Sequence, residues 1–415
     1  MTTIPVRPLW AGRAAAVIGI VLLALNLRTA VAVLSPILSY VSGDIPLDSI
    51  GIGFLGMLAP LAFAASGFVA PVVARRIGLE ATTVLACAAM VLGPLLRAVA
   101  PTYLVLVLGS VVALAGMGFA NIVLPPIIKK YFPDRVGLLT GTYVTLMSIS
   151  ASVPPLIAAP LAEAAGWRAT LGVWALLAAG ALVPWLIVLA QHRGRARQSA
   201  ADGVVLSPAP ALLGRMHHSR VARALALAFA VTALNVYGLF AWLPEIVIDT
   251  AGATPTEGGA LVALFGIIGL PLGLLAPLVA TRVRNVGLVL VFAVVVYVAG
   301  YLGLLLAPGT ATWLWVLLVG TGPLVFPLCL VLINLRTRTH EGSIALSGFV
   351  QGIAYAIGAL GPLFIGLLHD LTGGWTVPLL FLLATTLLTL ISAVMLAKPR
   401  MVEDELDATV PSERS

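Results

Sequence analysis

Long apolar runs alternate with short polar stretches along the whole chain, and twelve apolar segments can be counted in its 415 residues. A run of about 20 apolar residues is long enough for an α-helix to cross the hydrocarbon core of a bilayer. Lipid offers no hydrogen-bond partners to open strand edges, so such runs form helices. The segments are 14–41, 50–74, 80–99, 102–128, 136–162, 168–191, 222–248, 257–280, 285–307, 311–335, 342–368 and 374–397. This pattern predicts an all-α membrane protein with twelve transmembrane helices.

The composition agrees with residence in a lipid bilayer. Of all residues, 60% are hydrophobic and 9% are charged, and the mean hydropathy is +1.10. A soluble domain carries about 25% charged residues. The first run follows two arginines, as in a secretory signal, but it continues to Val41 and is too long for a signal core. Cys87 and Cys329 stand alone in apolar runs, so we predict no metal site, no redox pair and no cofactor.

Basic residues predict the orientation. On the segment count above, 20 of the 23 Lys and Arg residues lie on one side of the membrane, and only Arg97 and Arg168 lie on the other. The positive-inside rule then makes both termini and the longest polar stretch, 192–221, cytoplasmic in a bacterial inner membrane. The net charge of +7 thus reflects topology, and we predict no nucleic-acid partner. We expect the acidic stretch 403–407 to be a solvated end.

The two parts of the chain on either side of this stretch repeat each other. PVVARRIG (71–78) matches PLVATRVRNVG (277–287), and residues 140–167 match 346–375, at a shared offset of about 206–208 residues. We therefore expect an N-terminal six-helix half (1–191), a linker (192–221), a C-terminal six-helix half (222–397) and a tail (398–415). Two pseudo-symmetric six-helix halves describe the major facilitator fold, in which the substrate binds near the midplane of the membrane between the halves.

Arg28 is the one Lys or Arg residue that this count assigns to neither side of the membrane, because it lies near the middle of its apolar segment. A charge at the bilayer centre costs about 2.5–3.5 kcal/mol on insertion scales and usually marks function. The acids nearest to a helix interior, Glu163, Glu245 and Asp370, fall toward the outer helix ends. A planar guanidinium suits a carboxylate or another small oxyanion. We therefore predict that Arg28 binds an anionic substrate. The alternative role is an arginine that bonds backbone carbonyls and holds helix one against its neighbours.

Helical spacing suggests which residues accompany Arg28. On a continuous helix, three small residues share its face: Ala24, Ala32 and Ser35. The repeat pairs Arg28 with Asn235 on the seventh helix, where Gly238 and Trp242 continue one stripe. The other polar candidates for substrate binding are Asn121, Tyr143, Gln351 and Tyr355. Each of these side chains has an alternative role as a hydrogen bond between helices.

Four stretches resemble the cyanate permease and nitroimidazole transporter family of the major facilitator superfamily. They are LNLRTAVAVLSPIL, NIVLPPIIKKYFPDRVGLLTGTY, YGLFAWLPEI and LSGFVQGIAYAIGALGPLFIGLLHDLTGGW. The similarity runs from about residue 20 to 395. It implies a bacterial inner-membrane transporter of small molecules, often anionic or drug-like. It also supports as site residues Arg28, Asn121, Tyr143, Trp242, Gln351 and Tyr355.

The chain departs from the wider superfamily in its first cytoplasmic loop. The usual Gly-x-x-x-Asp-Arg-x-Gly pattern is replaced by PVVARRIG, in which Pro71 takes the glycine position and Arg75 the aspartate position. Our hypothesis is that Arg75 or Arg76 pairs with Asp134, or with carbonyls at helix ends, in an outward-open state.

Energy coupling leaves several alternatives open. The plausible proton sites are Glu245, His369 and Asp370 near the outer face. A weak-acid substrate that brings its own proton, uniport and exchange are the alternatives. Clustered His, Cys or acidic residues and a Walker-type loop are missing from the sequence, which argues against an enzyme or an ATP-driven pump. The runner-up function is an exporter of neutral drug-like compounds such as nitroimidazoles. We expect a monomer.

Overall fold

The structure is a computed structural model that describes residues 13–132, 134–196, 215–283 and 285–407. Within these ranges it leaves out the side chains of residues 75, 129, 136, 137, 140, 192–196, 277, 340, 341, 343, 344 and 407. In these ranges the chain is helical and contains no strand. We refer to each membrane-spanning segment by its ordinal number as a crossing. The first consists of Ala14–Asn26, Thr29–Ala32, Ser35–Ile37 and Leu38–Ser42. The second to fourth are Ser49–Ile77, Leu79–Ala98 and Tyr103–Tyr131.

The fifth and sixth crossings share the long helix Val136–Gly172, which Trp174–Ala196 continues. The apolar part of these two helices together, Gly141–Gln191, has 51 residues. As one helix it would be about 77 Å long, more than twice the thickness of the hydrocarbon core. Gly166 interrupts it with φ 82° and ψ 157°, a conformation that residues with a Cβ rarely adopt. The fifth crossing therefore ends before Gly166 and the sixth begins after it.

The remaining crossings follow the same order as the apolar segments. The seventh is Arg220–Ala251, the eighth Pro255–Ile267 with Gly269–Arg282, and the ninth Val286–Leu306. The tenth is Thr312–Thr321, Gly322–Leu324 and Val325–Leu335; the eleventh is His340–Gly358 with Leu360–Thr372; the twelfth is Thr376–Leu387 with Thr389–Leu396. Eleven helical stretches are long and apolar enough to span a membrane, and the break at Gly166 makes twelve crossings in the part of the chain described. The twelve predicted helices are confirmed.

Large apolar side chains cover the outside of the helices. Phe68, Leu176, Leu306 and Val394 are between 66% and 81% exposed. Soluble monomers rarely expose large continuous apolar surfaces. Lipid tails are the natural neighbours of these residues, so this surface agrees with a membrane protein.

Contacts divide the described residues into two compact units. The first unit comprises residues 13–48, 61–132, 134–196 and 255–267. The second unit comprises residues 49–60, 215–254, 268–283 and 285–407. Each unit therefore contains most of one half of the sequence together with the first part of a crossing from the other half.

Corresponding glycines and prolines hold these exchanged segments. In the second unit, Gly53 at the start of the second crossing lies against the backbone of Pro362 in the eleventh. In the first unit, Gly259 at the start of the eighth crossing lies against the carbonyl of Pro155 in the fifth. Both pairs follow the offset of the predicted repeat. The repeat is thus visible as two equivalent close contacts between helices.

A second pair of equivalent contacts lies where crossings turn. The Trp167 indole donates to Asp44 Oδ2 (3.0 Å), and the Trp375 indole donates to Asp249 Oδ2 (2.8 Å). Asp44 follows the first crossing, whereas Asp249 lies in the last turn of the seventh. The sequence match of Trp167 with Trp375 therefore corresponds to the same hydrogen bond in each half.

The acidic stretch near the C-terminus corrects a prediction. Val402–Asp407 forms a short helix instead of a solvated end. Its Glu405 Oε2 accepts hydrogen bonds from Ser219 Oγ (2.7 Å) and the Val221 amide (3.1 Å) at the start of the seventh crossing. Its Glu403 Oε1 accepts from the amides of Arg338 (2.9 Å) and Thr339 (3.1 Å) before the eleventh. Helix N-termini offer unpaired amides that attract carboxylates, which explains why this acidic segment docks.

Candidate substrate site

The first crossing is broken where the sequence predicted a continuous helix. The Asn26 side chain donates to Leu22 O (2.8 Å), and Thr29 Oγ1 donates to Asn26 O (3.2 Å). Side chains of this kind compete with the backbone for its hydrogen bonds. Arg28 leaves the helix with φ −132° and ψ −4°. The expected shared face of Ala24, Ala32 and Ser35 is therefore wrong, because it assumed one uninterrupted helix.

Arg28 lies at this break and is half-buried. Its Nη1 donates to Leu27 O (3.0 Å), and its Cζ lies 5.1 Å from the centre of the Phe63 ring. Within the described residues, no carboxylate pairs with Arg28. A guanidinium has five N–H donors, and the described residues accept a hydrogen bond from one of them.

Tyr143, another predicted site residue, belongs to the fifth crossing and is half-buried. The described hydrogen bonds and ring contacts do not join it to Arg28. Asn121 in the fourth crossing is also half-buried, and its Nδ2 donates to Met117 O (3.0 Å) in its own helix. The described contacts do not join Asn121 to Arg28.

A second arginine of the first unit, which the sequence analysis assigned only to the outer side of the membrane, is buried. Arg97 is 2% exposed. Its Nε donates to Ser110 Oγ (2.9 Å), and its Nη1 donates to Ala30 O (2.9 Å) beside the break. The signal in the sequence was weak, because Arg97 stands two residues before the end of the predicted segment 80–99.

Tyr355 belongs to an aromatic group in the second unit, and Gln351 lies one turn before it in the same helix. The ring of Tyr355 lies edge-on to Phe229 at 5.7 Å and to Tyr237 at 6.4 Å between centres. Phe326 lies 4.8 Å from Phe229. Gln351, one turn before Tyr355, donates to Ser347 Oγ (2.6 Å). Both predicted site residues are half-buried, so this group combines aromatic faces with an accessible amide.

Asn235 has a different environment from that of Arg28, its partner in the repeat. It is completely buried and accepts a hydrogen bond from the Tyr301 hydroxyl (2.6 Å). Its Nδ2 donates to Val231 O (2.8 Å) and Thr385 Oγ1 (3.2 Å). Both polar atoms of the Asn235 side chain, Oδ1 and Nδ2, thus form hydrogen bonds within the protein. Through these bonds the side chain joins the seventh, ninth and twelfth crossings.

Trp242 belongs to a cluster with Trp375 and His369 at the C-terminal ends of the seventh and eleventh crossings. Its buried indole donates to Pro362 O (2.8 Å). The His369 ring lies 4.2 Å from Trp375 and 6.5 Å from Trp242 between centres. Of the predicted proton sites, His369 Nδ1 lies 3.9 Å from Asp370 Oδ1, and Glu245 is half-buried one turn before Asp249.

The predicted gate residue Asp134 lies in the connection between the fourth and fifth crossings. Arg13 donates to both of its oxygens, at 2.7 and 3.2 Å, and Arg135 lies 3.8 Å away. Arg76 is exposed, and the Arg75 side chain lies outside the described part of the structure. Pairing of Asp134 with Arg75 or Arg76 therefore stays a prediction. The residues that the structure describes contain no group of three His, Cys, Asp or Glu suited to a metal ion.

Comparison with known proteins agrees with this architecture. The chain is 32% identical over 375 residues to an uncharacterized transporter, YycB, of Bacillus subtilis, covering 88% of this chain and 89% of that protein. It is 31% identical over 379 residues to a 2-nitroimidazole transporter of Escherichia coli, covering 91% and 93%. It is 28% identical over 294 residues to the cyanate transport protein CynX of Escherichia coli, covering 68% and 71%.

A solved structure shows the same fold. A bacterial homologue of the human lysosomal transporter Spinster, in an inward-facing and unoccupied conformation, aligns with a TM-score of 0.72 at 15% identity. The alignment covers 99% of this chain and all of that one. The family model of the Major Facilitator Superfamily matches residues 20–359. The chain is therefore a transporter, not an enzyme, and belongs to the Major Facilitator Superfamily.

Proposed function

We propose that this transporter moves a small organic or inorganic anion across the bacterial inner membrane by alternating access, and that Arg28 binds the anion. The observation that supports this most is the half-buried guanidinium at the break of the first crossing, which has no acidic partner among the described residues. Intramembrane charges without a protein partner usually serve a substrate or ion. Backbone that leaves the helix inside a membrane is also typical of transporter binding sites.

The surroundings of Arg28 favour a small, flat anion. The neighbouring Phe63 ring offers a face. We include the half-buried Tyr143 of the fifth crossing as a hydrogen-bond partner of the anion. Cyanate, which one relative's name specifies, is a small, linear anion. We include Asn121 as a further contact on the same unit. Asn235 and Trp242 are left out of the proposed contacts because their polar atoms bind neighbouring helices.

A second candidate function is export of neutral drug-like compounds. The aromatic group around Tyr355 and the half-buried Gln351 amide favour it, since they suit a planar ring with hydrogen-bonding groups. The name of the 2-nitroimidazole transporter points to the same class of compound.

A thermal-shift screen of the detergent-purified protein separates the two functions. It compares cyanate, nitrate, benzoate and salicylate with neutral 2-nitroimidazole, in the wild type and in Arg28→Ala. A ligand that binds the folded state raises its stability by mass action. We expect the anions to stabilise the wild type and not Arg28→Ala. The matched control is Arg223→Ala, an exposed arginine at the start of the seventh crossing. Equal shifts from 2-nitroimidazole alone in all three proteins would favour the exporter.

Proton coupling is proposed for Glu245 in the seventh crossing and for His369 and Asp370 in the eleventh. In proteoliposomes, a pH gradient should drive cyanate accumulation, and Glu245→Gln should weaken that drive while preserving exchange. If cyanate accumulation by the wild type did not depend on the pH gradient, proton coupling would be contradicted and uniport or exchange would be the transport mode.

A further inference from the structure

Arg97 connects three crossings of the first unit through one planar group. It occupies the last turn of the third crossing and is 2% exposed. Its Nε donates to Ser110 Oγ in the fourth crossing (2.9 Å), and its Nη1 donates to Ala30 O in the first (2.9 Å). A guanidinium holds these donors in a fixed fork, which an ammonium group lacks.

The packing of the third and fourth crossings fixes where this fork points. A Cβ at Gly93 would overlap Ala113, and a Cβ at Gly109 would lie 2.9 Å from the Arg97 amide nitrogen. The two helices therefore approach closely at this level. The Ser110 hydroxyl donates its own proton to Leu106 O (2.7 Å), so its oxygen is left to accept from Arg97.

The carbonyl that Arg97 binds belongs to the broken part of the first crossing. Across the break, the amides of Val31 and Ala32 donate to Arg28 O, and Val33 donates to Thr29 O. The next carbonyl, Ala30 O, receives the guanidinium of Arg97. The bond thus lies two residues after Arg28 and fixes the segment that carries it.

The charge of Arg97 is also uncompensated. In the ranges that the structure describes, no carboxylate pairs with it. Burying a charge without an opposite charge is expensive, and an apolar side chain would fill the same space without that penalty. A buried positive charge does, however, attract an anion held nearby, since low-dielectric surroundings screen it weakly.

We propose that Arg97 is a positioning residue for the anion site. It holds residues 27–33 so that the Arg28 guanidinium presents its donors to the substrate, and its charge attracts the anion without touching it. The inference rests on the anion-binding role proposed for Arg28. On this inference, the third crossing contributes to the affinity for the substrate through Arg97.

The test compares three variants with a matched control. Arg97→Gln removes the charge and the fork, Arg97→Lys keeps the charge alone, and Ser110→Ala removes one acceptor. The control is Cys87→Ala, a fully buried residue of the same crossing. Two quantities are measured in the full-length protein in detergent: the dissociation constants of cyanate, benzoate and 2-nitroimidazole, and hydrogen exchange of the amides of residues 29–38.

We expect Arg97→Gln to raise the dissociation constants of both anions about tenfold or more, as for hydrogen bonds to charged groups. Ser110→Ala should raise them by a smaller factor, because the Arg97 charge and its bond to Ala30 O remain. The constant for 2-nitroimidazole should not change. Exchange at residues 31–34 should accelerate in both variants. Arg97→Lys should also exchange faster than the wild type at these residues, because the fork is lost. Its loss of anion affinity should be smaller than that of Arg97→Gln, because the charge remains. Cys87→Ala should match the wild type.

Unchanged anion affinity in Arg97→Gln would overturn the inference, as would a uniform rise in exchange with equal loss of affinity for all three compounds. If Arg97→Gln does not fold, Ser110→Ala decides: unchanged exchange and affinity there would overturn it. Arg28→Ala separates this failure from failure of the proposed function. If Arg28→Ala loses anion binding while Arg97→Gln binds fully, only the role of Arg97 is contradicted. If Arg28→Ala binds the anions fully, the proposed anion site at Arg28 is itself contradicted.

Discussion

At the scale of single residues, Arg28 and Asn235 occupy equivalent positions of the repeat and have different environments. Arg28 lies on a broken helix and is half-buried without an acidic partner in the described residues, whereas Asn235 lies in an unbroken helix and is bonded to Tyr301 and Thr385. The difference arises from neighbours on other crossings. We infer that one position serves the substrate and the other serves helix packing.

Asn235→Ala should therefore lower stability without changing anion affinity. The substitution leaves the buried Tyr301 hydroxyl without its acceptor, which costs about 1–3 kcal/mol. Thermal unfolding in detergent and titration with cyanate measure the two effects. The double variant Asn235→Ala/Tyr301→Phe should recover part of the loss, because it removes the orphaned hydroxyl. A selective loss of cyanate binding in Asn235→Ala would instead make Asn235 a substrate contact.

The sequence predicted Arg28 as the residue to examine, but not its local geometry. Helical spacing assumes a regular backbone. The break depends on the hydrogen bonds that the Asn26 and Thr29 side chains form with the backbone, which spacing does not predict. Arg97 was assigned only to the outer side of the membrane because it stands near the end of an apolar run. Its burial depends on the close approach of Gly93 and Gly109 to the facing helix, which only the folded chain reveals.

At the scale of helices, the close contact between the second and eleventh crossings depends on Gly53. An added Cβ would lie 2.8 Å from Pro362 O and 3.0 Å from Leu363 Cα. Gly53→Ala should therefore destabilise the protein by about 1–3 kcal/mol through overpacking. The control is Gly67→Ala in the same crossing, where a Cβ meets nothing within 4 Å. Equal melting temperatures for the two variants would contradict the contact.

The docked C-terminal helix predicts a pH dependence of stability. Burial raises the pKa of Glu403, but hydrogen bonds from its own amide and from Thr339 and Arg338 outweigh burial and hold the pKa below its ordinary value of 4.5. A depressed pKa means that the ionised group stabilises the fold above about pH 4.5. That contribution disappears as the pH falls through the lowered pKa.

Glu403→Gln should thus lower the melting temperature at pH 7, and its difference from the wild type should shrink as the pH falls below 4.5, through the lowered pKa of Glu403. Asp404→Asn is the matched control, since its exposed ion pair with Arg338 contributes little. A difference for Glu403→Gln that persists unchanged at low pH would contradict docking through the carboxylate. Composition alone could not predict this docking, because an acidic run reads as solvated until the helix N-termini beside it are known.

At the scale of the whole molecule, the apolar runs and the repeat predicted most of the fold. Segment lengths are imposed by the bilayer, so twelve crossings follow from hydropathy even where Gly166 alone separates two of them. The shared offset paired Trp167 with Trp375, and the structure gives each indole the same kind of hydrogen bond, to Asp44 and to Asp249. Orientation rests on the basic residues and stays a prediction.

Cysteine labelling tests that orientation. In a background of Cys87→Ala and Cys329→Ala, we would introduce Gly43→Cys after the first crossing and Lys398→Cys after the twelfth, both at exposed positions. A membrane-impermeant maleimide should label Gly43→Cys in intact cells with the outer membrane opened. It should label Lys398→Cys only after the inner membrane is permeabilised. The opposite pattern would place the termini outside.

The central claim is that Arg28 binds a transported anion, and uptake of radiolabelled cyanate into proteoliposomes tests it most directly. The account predicts uptake by the wild type and by Arg223→Ala, and at least a tenfold loss in Arg28→Ala, since a buried charge-assisted bond is worth about 1.5–3 kcal/mol. Arg28→Lys should retain a part, because it keeps the charge without the planar fork. Undiminished cyanate uptake by Arg28→Ala would contradict the account.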